Sequence, residues 1–300
     1  MKKVLITGSN GLLGQKLVEL LIRKKEFEII ATARGENRLP SALTGYTYYR
    51  LDITNEGQVL SLVEETKPHY IINTAAMTNV DQCETDRNEC WKLNVEAVKY
   101  LIEAAKSTKS LLLHLSTDFI FDGTAGPYEE EAEANPLSYY GQSKLAAEQL
   151  IINSDIKWAI ARTVLVYGIA HDMSRTNIIL WVKKSLEEGK TINVVDDQWR
   201  TPTLAEDLAM GCYLIIKNEA EGIFNISGKD LLTPYQMALK TADFFKLDTS
   251  LINKTDSTKF TQPAKRPPRT GFVIEKAIRM LDYNPVSFEE GIDFVAKQVK

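Results

Sequence analysis

Tyr140-Gly-Gln-Ser-Lys144 sets a phenol and an amine four residues apart at the start of a helix-compatible run. That spacing puts both side chains on one helix face, about one turn from each other. A phenol with an ordinary pKa near ~10 is a poor proton donor at neutral pH unless a nearby cation favours the phenolate. Lys144 can be that cation. Upstream, an apolar run ends in Ser116-Thr117-Asp118, where the Thr117 hydroxyl could bond a carbonyl oxygen. Thr117, Tyr140 and Lys144 are therefore the candidate catalytic residues, and their chemistry is proton donation to an alkoxide forming from a ketone. A lone Tyr-x-x-x-Lys is common by chance. Its weight comes from what precedes it.

Such a reaction needs a hydride source, and the first residues offer one. Gly8-Ser-Asn-Gly11-Leu-Leu-Gly14 follows the apolar run Val4–Thr7 directly and opens a helical pattern. Glycines there allow a tight turn, close approach of a pyrophosphate, and close packing of helix on strand, while the helix N-terminus faces the anion. Gly8, Asn10, Gly11, Leu12, Leu13 and Gly14 are the expected contacts of a dinucleotide. The second strand ends in Ala33-Arg34, without the acid that an NAD site usually offers the ribose. Arg34, with Asn37 or Arg38 nearby, can instead meet a 2′-phosphate, which favours NADP(H) and leaves NAD(H) open. Asp52-Ile53, read as the end of the third strand, could bracket the adenine. Ala75-Ala76, read as the end of the fourth, are small enough to let the cofactor pass, and Met77 follows them.

The elements that must position these residues alternate regularly. Strands are expected at Val4–Thr7, Glu28–Ala33, Tyr70–Asn73, Leu111–Ser116 and Trp158–Leu165, and helices at Leu12–Lys25, Glu56–Thr66, Val95–Ala105 and Tyr140–Asn153. Short apolar strands between longer helices predict an α/β fold with a Rossmann-like, doubly wound parallel sheet covered on both faces. After Gly168 the rhythm changes to helices at about 177–188, 204–217, 233–245 and 288–297. The expected division is a dinucleotide-binding domain over 1–168 and a smaller, mainly helical substrate domain over 169–300, with a strand near 222–227 returning to the main sheet. Gln262-Pro-Ala-Lys-Arg-Pro-Pro-Arg269 reads as an ordered loop, because helical pattern resumes after it.

A net charge of -4 over 300 residues argues against a nucleic-acid surface. Three irregularly spaced cysteines, Cys83, Cys90 and Cys212, fit neither a disulfide framework nor a zinc site, so no metal is expected and a reducing compartment is. The apolar run at the N-terminus breaks at Thr7-Gly8, short of the ~7–15 residues of a secretory core. No run approaches the ~18–20 residues of a membrane span. The expectation is a cytoplasmic protein without a membrane or nucleic-acid partner. A homodimer stays open.

With the glycine pattern, Asn73-Thr-Ala-Ala76, Asn94 in Leu-Asn-Val, and Thr117/Tyr140/Lys144 in hand, the chain resembles the extended short-chain dehydrogenase/reductases. More narrowly, Ser116-Thr-Asp-Phe-Ile-Phe-Asp-Gly123, Arg162-Thr-Val-Leu-Val-Tyr-Gly168, Asp197-Gln-Trp-Arg-Thr-Pro-Thr203 and Ala264-Lys-Arg-Pro267 resemble the dTDP-4-dehydrorhamnose reductases over almost the whole length. That likeness implies NAD(P)H-dependent reduction of a 4-keto group on a nucleotide-linked deoxysugar. It also implies that Thr117 and Asp118 face the sugar, and that the loop carrying Lys265, Arg266 and Arg269 lies near the diphosphate. Three departures touch the sugar pocket. Leu165 stands where the family has a tryptophan, Met77 where an aromatic or histidine is usual, and Phe119 where a tyrosine is usual. The C-terminal half is also similar to the β regulatory subunit of methionine adenosyltransferase, which implies an NADP-binding partner protein as an alternative. A nucleotide-sugar epimerase or dehydratase is a third.

Overall fold

The computed structural model describes residues 1–172 and 176–299. Seven strands form one wholly parallel sheet: β1 (Lys2–Thr7), β2 (Phe27–Ala33), β3 (Thr47–Arg50), β4 (Tyr70–Asn73), β5 (Leu111–Thr117), β6 (Trp158–Thr163) and β10 (Gly222–Asn225). Their spatial order, β3-β2-β1-β4-β5-β6-β10, reverses direction between β1 and β4. That switch point leaves a crevice at the carboxyl ends of the strands, which is where open α/β sheets bind ligands.

The strands read as apolar runs because helices cover both faces. Helix α1 (Leu12–Lys24) buries Leu17, Val18, Leu20 and Leu21 against one face, beside α8 (Ala205–Lys217). Helices α2 (Glu56–Thr66), α5 (Ala97–Thr108) and α6 (Tyr139–Ile152) pack on the other, around Leu5, Ile71, Leu101, Leu112 and Ile160. Helix α1 stops at Lys25, whose left-handed conformation turns the chain into β2.

The chain from Arg87 to Thr108 is helical throughout, starting well before the expected Val95. It runs through α4 (Arg87–Trp91), a π-helical turn at Lys92–Glu96, and α5. Single π turns inside helices are frequent at functional sites, and this one carries the buried Asn94.

The expected ends of three strands are corrected. The strand expected over Trp158–Leu165 ends at Thr163, because Leu165 takes φ 39° and the chain turns to pair Val166–Tyr167 (β7) with Thr203–Leu204 (β9). Asp52 and Ile53 lie beyond the end of β3, and Ala75 and Ala76 beyond the end of β4. The C-terminal elements are mainly helical, as expected, and include short strands as well. Between β7 and β9 come α7 (Ile178–Glu187) and β8 (Ile192–Val195), and β8 pairs in parallel with β11 (Ile252–Thr255) beside α9 (Pro234–Phe245). Further on, α10 (Glu275–Leu281) returns to the face held by α8, and α11 (Phe288–Gln298) packs with α9 around Met237 and Ile292. Among the described residues no helix is long and apolar enough to cross a membrane.

Candidate functional site

The glycine loop is built for a close approach. Gly8 sits at φ +69°, and a Cβ there would lie 2.8 Å from the Ala75 amide nitrogen. A Cβ on Gly14 would lie 2.3 Å from the Gly8 carbonyl oxygen, so any side chain would push α1 off β1. Gly11 is the N-cap of α1 and supplies no side-chain cap, which leaves the first amides of the helix facing outward. Ser9 Oγ, buried beside them, has no partner among the described residues. Uncapped amides and an orphaned hydroxyl over a glycine cradle fit an anionic dinucleotide. The Asn10 side chain faces elsewhere: it donates to the Glu36 carbonyl at 2.7 Å and accepts from the Arg38 amide at 2.9 Å. Asn10 thus ties the glycine loop to the loop after β2.

That loop leaves Arg34 exposed, with its carbonyl held by Arg50 Nε at 3.0 Å. Asp52 stands nearby. Burial pushes its carboxyl up, but hydrogen bonds from the Thr54 amide and hydroxyl, with the charges of Arg34 and Lys92, hold it below the usual range.

Across the switch point, β5 delivers Thr117 and α6 delivers Tyr140 and Lys144, all three buried. Ser138 caps α6 by accepting from the Gly141 amide at 3.2 Å. A Cβ on Gly141 would lie 2.2 Å from the Phe119 carbonyl oxygen, so glycine is what lets the helix start press against the turn after Thr117. The Phe119 ring meets Tyr140 edge-on at 5.9 Å. Burial pushes the Tyr140 phenol upward in pKa, and a hydrogen bond with Thr117 pulls it back. Lys144 Nζ donates to the Leu115 carbonyl at 2.6 Å and lies 2.9 Å from His114 Nε2. Its pKa falls to about 8 through burial. Ser116 Oγ, next to Thr117, is buried without a partner among the described residues.

Asn94 braces the same region. Its Oδ1 accepts from the Met77 amide at 2.8 Å, and its Nδ2 donates to the Met77 carbonyl at 3.1 Å and to Ser143 Oγ at 3.0 Å. Met77 is thereby fixed against Tyr140 in a small apolar cluster with Cys83 and Cys90.

Two residues expected to touch a sugar or diphosphate are engaged within the protein. Asp118 is buried, accepts from Thr117 Oγ1 at 3.2 Å and from Thr270 Oγ1, and lies 3.8 Å from Arg200 Nε. Burial pushes its carboxyl up despite the Arg200 charge. Arg266 forms two hydrogen bonds to Asp81, at 3.2 and 2.7 Å. Lys265 and Arg269 stay exposed, the latter 5.7 Å above the Trp199 ring. Leu165 is exposed as well, so where the resembling reductases carry tryptophan this chain presents a smaller side chain to solvent.

Residues 1–300 match the family described as RmlD substrate binding domain. The chain belongs to that family. It is 30% identical to a dTDP-4-dehydrorhamnose reductase of Aggregatibacter actinomycetemcomitans, over 97% of each chain. It is also 30% identical to the methionine adenosyltransferase 2 subunit beta of Xenopus tropicalis, over 83% of this chain and 74% of that one. Among solved structures it superposes on dTDP-4-dehydrorhamnose reductase from Bacillus anthracis in complex with NADP, with a TM-score of 0.85, 28% identity and full coverage of both chains.

Several residues of this RmlD-type site escape a reading of the sequence. Arg200 is buried and donates to the Pro267 carbonyl at 2.7 Å, so it pins the Pro-rich loop. His114 sits inside an apolar strand, and Asp81 in an ordinary helix start. His114 and Asp81 stand in no recognisable spacing, and the Asp197–Thr203 stretch that holds Arg200 gives no sign of its contact with Pro267, because each finds its partner across the fold. The one available signal was a charged or polar residue inside an apolar run, which His114 shows.

Proposed function

We propose that the chain is an NADPH-dependent reductase of the 4-keto group of a nucleoside-diphosphate 6-deoxyhexose. The observation that carries this reading is that β5 ends at Thr117 and α6 begins with Tyr140, both buried at the carboxyl edge of the sheet, with Lys144 buried one turn further along α6. Bound across that edge, NADPH would supply the hydride. Gly8, Gly11 and Gly14 would hold its pyrophosphate, and Arg34 its 2′-phosphate. Thr117 holds the carbonyl oxygen of the substrate, and Tyr140 gives that oxygen its phenolic proton as the alkoxide develops. Lys144 is the cation that favours the phenolate left behind.

The nucleotide end belongs to the C-terminal elements. Lys265 and Arg269 are the cations for the diphosphate, while Arg266, tied to Asp81, fixes the loop that presents them. A cleft of about 380 Å³ is lined by Asn177, Trp181, Val194, Pro234 and Phe260 and reaches Gln262 at the start of this loop. Its aromatic walls suit a nucleoside.

The test is to incubate the protein and NADPH with a panel of 4-keto nucleotide sugars, following loss of nicotinamide absorbance and product identity. Reduction of nucleotide-free ketones equally well would sink the diphosphate reading. The likeness to methionine adenosyltransferase 2 subunit beta favours one second reading, a cofactor-binding partner subunit. Tight NADPH binding without turnover on any panel member would select it.

A further inference from the structure

Strand β5 is apolar from Leu111 to Leu113, then carries a histidine that is 1% exposed. In the sheet register Thr7 of β1 lies beside Asn73 of β4, and Asn73 beside His114 of β5. Their side chains connect: Thr7 Oγ1 to Asn73 Oδ1 at 2.6 Å, Asn73 Nδ2 to His114 Nδ1 at 3.0 Å, and His114 Nε2 to Lys144 Nζ at 2.9 Å. All four residues are buried. Polar groups at the centre of a parallel sheet are costly unless each is partnered, and here each partners the next. The chain joins the residue before Gly8 to the amine beside the proton donor.

An imidazole with one proton has a donor nitrogen and an acceptor nitrogen. With Lys144 as ammonium, Nζ donates to Nε2, the ring proton sits on Nδ1, and Asn73 must present its amide oxygen to the ring. With Lys144 as amine, Nε2–H donates to Nζ and Asn73 donates its N–H to Nδ1. Passing from the first to the second, Nζ gives its proton to Nε2 and the Nδ1 proton is released to solvent, a net loss of one; an amide rotation and a hydroxyl rotation then match the new tautomer without moving a backbone atom. The doubly protonated ring is disfavoured, since burial first and the Lys144 charge second hold the imidazole well below its ordinary pKa.

We propose that His114 is a positioning residue of the reductase site, which accepts from Lys144 Nζ through Nε2 and stabilises the ammonium that serves Tyr140. The inference rests on the reading of Tyr140 and Lys144 as the acid pair. Other charged or titratable groups face Lys144 from each packed element. Tyr140 and Glu148 lie on its own helix, with Glu148 paired to Arg162 of β6 at 2.7 Å, and Cys83 and Cys90 come from the helical segments before Asn94. Among the described residues, only Leu115 O and His114 Nε2 are hydrogen-bonded to Nζ. Losing one of two partners must weaken a buried ammonium.

Lysine ¹⁵Nζ NMR on the cofactor-free protein reads this directly, with the Lys144 signal assigned by its loss in Lys144→Met. His114→Leu should lower the Lys144 protonation constant about tenfold, as expected for a lost charge-assisted hydrogen bond. His114→Asn should do the same, because its amide reaches the Nδ1 position and leaves Nε2 vacant; it serves if the leucine variant does not fold. His114→Gln, which restores an acceptor near Nε2, should return the midpoint to the parent value. The alkaline limb of kcat should move down in pH with the NMR midpoint, while KM for the nucleotide sugar stays constant. An unchanged or raised midpoint in a folded leucine or asparagine variant overturns the proposal. If the midpoint falls as expected while the parent reduces no ketose, the acid-pair reading fails and the link from His114 to Lys144 stands.

Discussion

Arg266 of the Pro-rich loop and Asp81 at the start of α3 (Val80–Thr85) hold each other through two hydrogen bonds, and the Ala264 amide donates to the same carboxylate at 3.1 Å. The Arg266 hydrogen bond, helped by the Ala264 amide and opposed by burial, keeps the Asp81 carboxyl below its ordinary pKa. The pair fastens the loop that presents Lys265 and Arg269 to the segment following Met77. Asp81→Asn and Arg266→Ala should therefore each raise KM for the nucleotide sugar by about 5–10-fold with little change in kcat, the effect of a half-exposed charge-assisted pair. Steady-state kinetics on both variants and on the double variant check this. The double variant should be no worse than either single one; additive losses would mean that Arg266 touches the diphosphate itself.

Tyr140→Phe keeps the ring that packs against Phe119 and removes the proton. Turnover should fall by ~10²–10⁴ while the dissociation constant for NADPH, measured by nicotinamide fluorescence, stays near that of the parent. Full activity in this variant would remove Tyr140 from the mechanism.

The sheet was legible because its strands are buried on both faces and so spell continuous apolar runs, and because the glycine loop sits directly at a strand–helix junction. The helical segment before Val95 was harder: Cys83 and Cys90 are buried, but Arg87, Asn88 and Glu89 between them read as loop. Strands of two residues, such as Val166–Tyr167, are too short to show a period of two. Thr117, Tyr140 and Lys144 could be named because two of them share a helix face and the third ends a strand. Asp118 could be named but not placed, since its inward turn depends on Thr270 and Arg200, which lie 152 and 82 residues away in a chain read one residue at a time.

Lys144 makes a pH-dependent statement about stability. Burial lowers its pKa from 10.5 to about 8 in the folded state. Below pH 8 the ammonium is present in both states and its burial costs stability. Between about 8 and 10.5 the unfolded chain binds the proton that the folded chain has released, so this group's contribution rises with pH. Lys144→Met should consequently raise the thermal midpoint at pH 7, by the equivalent of about 1–2 kcal/mol once the lost bonds to His114 and Leu115 are allowed for. The gap should close as pH approaches 10.5. Reductase activity should be lost at every pH. A lower midpoint at pH 7 would show that the amine's hydrogen bonds outweigh its desolvation.

Arg34 is the residue expected to set the cofactor preference. It follows the last residue of β2, on a loop held by Asn10 from one side and by Arg50 and Tyr48 from the other: Tyr48 Oη donates to the Gly35 carbonyl at 2.5 Å. The guanidinium is exposed, and the backbone beneath it is fixed before any ligand arrives. A 2′-phosphate would meet a preset cation, whereas a plain 2′-hydroxyl would leave that cation with solvent and with the weaker attraction of Asp52. NADPH should accordingly bind more tightly than NADH. Arg34→Ala should remove most of the difference, about 1–3 kcal/mol for a charge-assisted contact. Dissociation constants for the two nucleotides, taken at low and at moderate salt, check this, because an exposed charge pair weakens as ionic strength rises. Equal affinities in the parent protein would overturn the assignment of the 2′-phosphate to Arg34. A preference that survives Arg34→Ala would move it to Arg38, whose exposed guanidinium lies 3.8 Å from Asp172 and could exchange that partner for the phosphate.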